Sequence, residues 1–155
     1  MAAKKRSKTA NAIPLDGPWA FRLYENGRRR KAPPSSFPDE MKVPAAWQSE
    51  SAGLEDGGDG WYRREVEVPA AWADGRVHLV VGGAYPRLVA YVGRKKVGDH
   101  VCPFAPFVAD VTDCVRPGRK AEITLGVIED AEARRLVWIE RAVYHLESRN
   151  WAQSA

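Results

Sequence analysis

Hydrophobic and polar residues alternate with a period of two along most of this chain, which is the pattern of strands that bury one face and wet the other. In LDGPWAFRLY, Asp16-Gly17 reads as a turn, and Trp19, Phe21 and Leu23 share one face of a strand. Met41 to Val43 is a short strand halted by Pro44. In WYRREVEV, Tyr62, Arg64, Val66 and Val68 alternate with Trp61, Arg63, Glu65 and Glu67, giving a half-buried strand with one wet face. Val77, Leu79 and Val81 of RVHLVV form a deeper strand. RLVAYVGRKKV reads as a hairpin, with a strand from Arg87 to Val92, a turn at Gly93-Arg94 and a return through Val97. FVADV and AEITLGVI add two more strands, separated by a turn at Pro117-Gly118. Short strands about ten residues apart, punctuated by Gly and Pro, predict an all-β fold, an antiparallel β-sandwich.

Two stretches resist this pattern. NGRRRKAPPSSFPDE and SAGLEDGGDG read as loops, because Asn-Gly, Pro-Pro, Ser-Ser and Gly-Gly leave little regular structure available. The end of the chain is ambiguous: Leu136, Ile139, Val143 and Leu146 have helical spacing, whereas AVYHLE is β-branched and aromatic.

The pentapeptide VPAAW occurs at 43–47 and again at 68–72. A true repeat would carry its flanks along at a fixed period, and these flanks differ. Both copies read as strand terminators: a last valine, a proline that cannot donate to the ladder, and a tryptophan that folds back over the sheet end.

With 155 residues there is room for one domain and a core of ordinary size. Its expected extent is 13–148, with a disordered basic tail at 1–12 and a short tail at 149–155. Lys and Arg number 24 against 20 Asp and Glu, but Lys4, Lys5, Arg6 and Lys8 supply the whole +4 excess. A basic tail on a formally neutral body argues against a nucleic-acid-binding face. No apolar segment suited to export or to spanning a membrane follows the tail, so the expected place is the cytoplasm, without membrane association. Cys102 and Cys114 fit no metal spacing and read as two free thiols.

Taken in order, these pieces resemble the N-terminal sugar-binding domain of glycoside hydrolase family 2, the β-galactosidase and β-glucuronidase family. LDGPWAFRLYENG is similar to its opening strand and VPAAWQ to its edge-strand terminator. GWYRREVEVPAAWADGRVHLVVGGAYPRLVAYVGRKKVGDH resembles the central strands and hairpin, and PFVADVTDCVRPGRKAEITLGV the closing strands. The likeness spans residues 15 to 128 and implies a jelly roll of the galactose-binding-domain kind. WIERAVYHLE resembles a variant of the domain's last strand, through Ile139, Arg141, Val143 and Leu146. The resemblance therefore places a strand at 139–147 and leaves Glu132 to Val137 open to either a helical turn or a loop.

The chain departs from the family in two ways. Relatives carry a long loop between the closing strands, commonly with a tryptophan and an acid that reach a neighbouring active site; here the interval is EDAEARRLVW, whose acids Asp130 and Glu132 match no part of that loop. Family enzymes also hold a carboxylate pair about 5 Å apart on a later (β/α)₈ barrel, which takes about 250 residues. The resemblance thus implies a non-catalytic carbohydrate-binding domain, standing alone or as part of a glycosidase. The alternative is a docking sandwich that supports a catalytic (β/α)₈ domain or pairs with a second copy of itself.

Trp47, Trp61, Tyr85 and Arg87 are the candidate sugar-binding residues. An indole face can stack on the C–H face of a pyranose, and Tyr85 and Arg87 follow Gly82-Gly83 at a loop-to-strand junction open to a ligand. Each has a plainer reading: Trp47, like Trp72, as cover for a sheet end, Trp61 as core or rim, Tyr85 and Arg87 as surface. Arg63 and Arg64 point to opposite faces, so at most one can meet a ligand, and the other is expected to pair with an acid such as Asp110. Arg28 to Lys31 read as a solvated loop. His78, His100 and His145 share no metal spacing, and His78 reads as structural. No cofactor is implied, and no nucleophile-base constellation or phosphate loop is present in the sequence.

Overall fold

The computed structural model describes residues 11–25, 32–45, 58–101 and 105–128, together with the backbone of 144–149. The strands are β1 (Ala12–Pro14), β2 (Gly17–Glu25), β3 (Asp39–Val43), β4 (Gly58–Glu67), β5 (Arg76–Val81), β6 (Arg87–Val92), β7 (Lys95–His100), β8 (Phe107–Asp110), β9 (Lys120–Ile128) and β10 (Tyr144–Arg149). Every pairing between them is antiparallel. They form a four-stranded sheet in the order β1-β10-β5-β8 and a six-stranded sheet in the order β3-β2-β4-β9-β6-β7. The described helical structure is two three-residue 3₁₀ turns, Ala70–Trp72 and Thr112–Cys114. The fold is an antiparallel β-sandwich.

Alternation explains which residues fill it. Trp19 and Phe21 of β2, Tyr62 and Val66 of β4, Val77, Leu79 and Val81 of β5, and Ile123, Leu125 and Val127 of β9 all join one buried cluster between the sheets. Each such large apolar side chain taken out of water contributes about 1.5–3 kcal/mol before the entropy of ordering is counted. The Trp19 indole donates to the Leu15 carbonyl at 2.8 Å, so the largest side chain of β2 is buried without an orphaned N–H. The hairpin turns where the sequence requires: Gly93 has φ +57°, and its amide donates to the Glu122 carbonyl at 2.8 Å.

Both VPAAW copies end strands, by different means. β3 stops at Val43, and the Val43–Pro44 peptide is cis. β4 stops at Glu67, while Val68 still donates to the Arg119 carbonyl at 3.0 Å and accepts from Gly118 at 2.7 Å. Pro69 then opens the 3₁₀ turn that drives Trp72 into the core, where it is 4% exposed. Trp47 lies outside the described residues.

Two expectations shift. β1 begins at Ala12, inside the stretch read as tail, and pairs with β10 through Ala12↔Glu147, Ile13↔Leu146 and Pro14↔His145. The last strand runs over Tyr144–Arg149; residues 139–143 and the stretch Glu132 to Val137, open to a helical turn or a loop, lie outside the described residues.

Candidate functional site

Strand register collects three of the four candidate residues, Trp61, Tyr85 and Arg87, at one end of the six-stranded sheet. Glu25 closes β2 opposite Gly58, the first residue of β4. Ile128 closes β9 opposite Arg87, the first residue of β6, and Leu88 faces His100 at the close of β7. This end therefore holds Tyr85, Arg87, Asp59 and Trp61. The opposite end holds the tight turns at Gly93 and Gly118.

Arg87 leaves the Tyr85–Pro86 junction, a cis peptide, and projects from the face of the sheet that is turned away from the core. Its Nε and Nη2 donate to the two carboxylate oxygens of Asp99, each at 2.6 Å. Lys96 Nζ reaches the same carboxylate at 2.8 Å. Arg87 foremost, then Lys96, holds the Asp99 carboxyl at about 2, against the opposing pull of partial burial. The guanidinium fork thus already has a carboxylate in it. Tyr85 is half-buried beside it.

Trp61 shares that outward face and is nevertheless 0% exposed, the core alternative of its two readings. It lies opposite Gly126 of β9, which in turn faces Val89 of β6. A Cβ on Gly126 would sit 2.9 Å from the indole and 2.7 Å from a Val89 methyl, so the missing side chain is what lets the six-membered edge of the ring reach over β9. The Tyr91 ring packs at 6.3 Å from it, tilted by 45°. Arg22, opposite Trp61 in β2, donates to the Ser36 carbonyl at 3.2 Å and to the Ser36 hydroxyl, and Arg63 stacks over Phe37 at 4.4 Å. Residues 36 and 37 are thereby pinned against the outward face next to the indole. In this conformation no face of Trp61 is open to a sugar. Asp59, 2% exposed, and Thr124, 3% exposed, are buried on the same face.

The expectation that one of Arg63 and Arg64 pairs with an acid such as Asp110 holds for Arg63, but its acid is Glu122 and not Asp110. Arg64 points inward and donates to the carbonyls of Leu15 at 2.9 Å and Asp16 at 3.0 Å, tying the start of β2 to β4. Arg63 faces Glu122 at 3.9 Å. Asp110 instead accepts from the amide and hydroxyl of Thr112 and from Arg76, in the other sheet from either arginine, and the Thr112 bonds foremost hold its carboxyl well below the usual carboxylate range. The pairing follows from β5 lying against β8, which only sheet order reveals. His78 sits mid-strand, and its buried Nδ1 has no hydrogen-bond partner among the described residues; His100 Nε2 is 3.2 Å from the Ala105 carbonyl. Cys114 is a free thiol, and Cys102 lies outside the described residues. Among the described residues no group of three or more His, Cys, Asp or Glu is placed to hold a metal ion, and no helix is long and apolar enough to cross a membrane.

Sequence reasoning missed the Arg87–Asp99–Lys96 cluster, because a cross-strand partner is set by register. It also missed the role of Gly126, although a lone glycine inside AEITLGVI is the usual mark of a close approach.

Fold and sequence likeness together define a β-sandwich domain of the family 2 glycoside hydrolase type. No family model matches the chain. A β-glucuronidase from Paenibacillus borealis is 32% identical over 134 residues, a match covering 82% of this chain and 22% of the relative. A β-glucuronidase from Streptococcus agalactiae is 28% identical over 122 residues, covering 77% and 20%. Among solved structures, Faecalibacterium prausnitzii β-glucuronidase superposes with a TM-score of 0.70 at 22% identity, over 95% of this chain and 33% of that one. A Ruminococcus gnavus β-glucuronidase in complex with D-glucaro-d-lactam gives 0.69 at 20% identity, over 88% and 29%. The chain is homologous to a domain-sized piece of β-glucuronidases, and it spans about a fifth of the length of these curated relatives.

Proposed function

We propose that this chain is a non-catalytic sandwich of a β-glucuronidase-type glycosidase, as a part of one or a separate counterpart, with residues 12–149, from the start of β1 to the end of β10, as the domain. Its principal role in this reading is to dock against and support a catalytic (β/α)₈ domain. One observation carries the preference for docking over sugar capture: among the described residues, the indoles of Trp61 and Trp72 are enclosed, at 0% and 4% exposure, and the Arg87 fork already grips Asp99. A buried indole contributes to stability and offers a pyranose nothing to stack on. The free thiol of Cys114 accords with a cytoplasmic setting.

Carbohydrate binding is the second reading, favoured by the convergence of half-buried Tyr85 with Arg87 at the loop-bearing end of the sheet. It predicts weak binding, because a shallow site buries little of a sugar.

A titration of the purified chain with a glucuronide, a galactoside and a mannoside, followed by NMR shifts, separates the two. The docking reading expects no saturable shift at Tyr85 or Arg87 up to millimolar sugar, and no turnover of a chromogenic glucuronide. Saturable shifts there, abolished by Tyr85→Ala, would transfer the conclusion to sugar binding. Turnover by the chain alone would overturn both.

A further inference from the structure

Alternation turns Val77, Leu79 and Val81 of β5 into the core, so His78 and Val80 stand on the outward face of the four-stranded sheet. β5 is an inner strand of that sheet, with β10 on one side and β8 on the other. His78 lies directly opposite Glu147 of β10 and Asp110 of β8, and Val80 lies directly opposite His145 of β10. Residues opposite each other share a face, and so do alternate residues of one strand. β10 is described by its backbone, and its register alone brings positions 78, 145 and 147 together on one face: two of the chain's three histidines with a carboxylate residue.

That triangle has the dimensions a metal ion requires. Opposed positions such as 78 and 147 stand about 4.5–5.5 Å apart, and a diagonal such as 78 to 145 about 7–8 Å. Positions two apart on one strand, such as 145 and 147, are separated by about 7 Å. Imidazole and carboxylate donors at about 2.0–2.2 Å from a shared zinc ion span such separations. The Nδ1 of His78 is buried and has no hydrogen-bond partner among the described residues, so this ring nitrogen is uncommitted. Asp110, on the other flank, is committed to Thr112 and Arg76. Arg76 lies opposite Arg149, on the far side of the His78–Glu147 row from His145, and its charge is met by Asp110. Towards β1, the positions opposite Glu147 and His145 are Ala12 and Pro14, which bring no competing charge.

We infer that the juxtaposition of His78, His145 and Glu147 is a binding site for a divalent transition cation of the zinc kind. Two imidazoles and one carboxylate are a borderline donor set that suits zinc, whereas calcium and magnesium take oxygen ligands. Three protein ligands leave a fourth position for water or a ligand oxygen. Linear spacing hides this set, because His78 and His145 come from distant parts of the chain and meet only through the β5–β10 register. The site lies on the other sheet from Arg87, and it is independent of both readings proposed above.

The experiment titrates the tag-free, metal-free full chain with zinc chloride at pH 7 by calorimetry, with imidazole NMR spectra recorded alongside. The expected result is one zinc ion per chain, with the ring signals of His78 and His145 shifting together and those of His100 unmoved. His145→Ala and Glu147→Gln should each weaken zinc binding at least tenfold, and His100→Ala should leave it within twofold. Should either β10 variant fail to fold, as its metal-free melting curve would show, His78→Gln removes a ligand from the β5 side and should have the same tenfold effect. Absence of saturable binding up to 1 mM zinc overturns the inference. So does a zinc affinity indifferent to His145→Ala and Glu147→Gln, or one that falls with His100→Ala.

Discussion

Gly126→Ala is the sharpest test of the packing beneath the outward face. The added Cβ would lie 2.7 Å from Val89 Cγ2 and 2.9 Å from Trp61 Cη2 and Cζ3, both closer than carbon atoms approach without displacement. Neither neighbour is the free end of a flexible chain: Val89 is 8% exposed and Trp61 0%. Overpacking of this kind costs about 1–3 kcal/mol. Against that, alanine is better than glycine inside a strand by roughly 0.5–1 kcal/mol. The net expectation is a loss of about 1–2 kcal/mol, which for a chain of this size lowers the midpoint of thermal unfolding by about 2–8 °C. Guanidinium unfolding at 25 °C measures the loss directly, with the slope unchanged if the unfolded state is unaffected. Trimming Val89 makes room on one side, so in a Val89→Ala background the same glycine substitution should cost about 0.5 kcal/mol less, or more than that. If Gly126→Ala is neutral or stabilising in the parent, the indole edge does not press on β9 at Gly126 and the account of why Trp61 is sealed fails.

Two further outcomes follow from the hydrogen bonds and the ion cluster. Arg64→Ala strips the Leu15 and Asp16 carbonyls of a charged donor and should cost about 1.5–3 kcal/mol by denaturant unfolding, whereas Arg63→Ala, on the wet side of the same strand, should cost less than about 1 kcal/mol. The Asp99 carboxyl is held at about 2, below its value in the unfolded chain near 4, so its contribution is complete above about pH 4 and fades as pH falls through 2. The cluster is largely exposed, so Asp99→Asn should lose no more than about 1 kcal/mol at pH 6 and progressively less as the pH falls through 2, and NMR titration of the Asp99 carboxyl in the parent should give a midpoint near 2.

Much of the sandwich was legible because local alternation and burial agree. Trp19 with Phe21, the run Val77-Leu79-Val81 and the hairpin through Gly93 each state their face and turn within ten residues, and each is placed accordingly. What alternation could not supply was which strand lies beside which. Trp61 falls on the wet face of its own strand and is buried only because Gly126 and Val89 come alongside from strands far along the chain. Arg87 reads alone as an open cation, and register puts Asp99 within its fork. β1 was invisible for another reason: three residues ending in proline contain no period to detect, and their pairing depends on β10. Tyr85 and Arg87 were recognisable from the glycines before them as a junction, but nothing in the sequence says whether such a junction receives a ligand.

The division of the six-stranded sheet into a turn-bounded end and a loop-bearing end has a practical corollary. At Gly93 nothing approaches within 4 Å of where a side chain would begin, and neighbouring Arg94 is exposed, roughly a strand's length from Tyr85 and Arg87. A fluorophore or surface tether attached at Arg94 would leave the far rim unobstructed, so immobilised molecules could present that rim to candidate carbohydrates and protein partners in a uniform orientation.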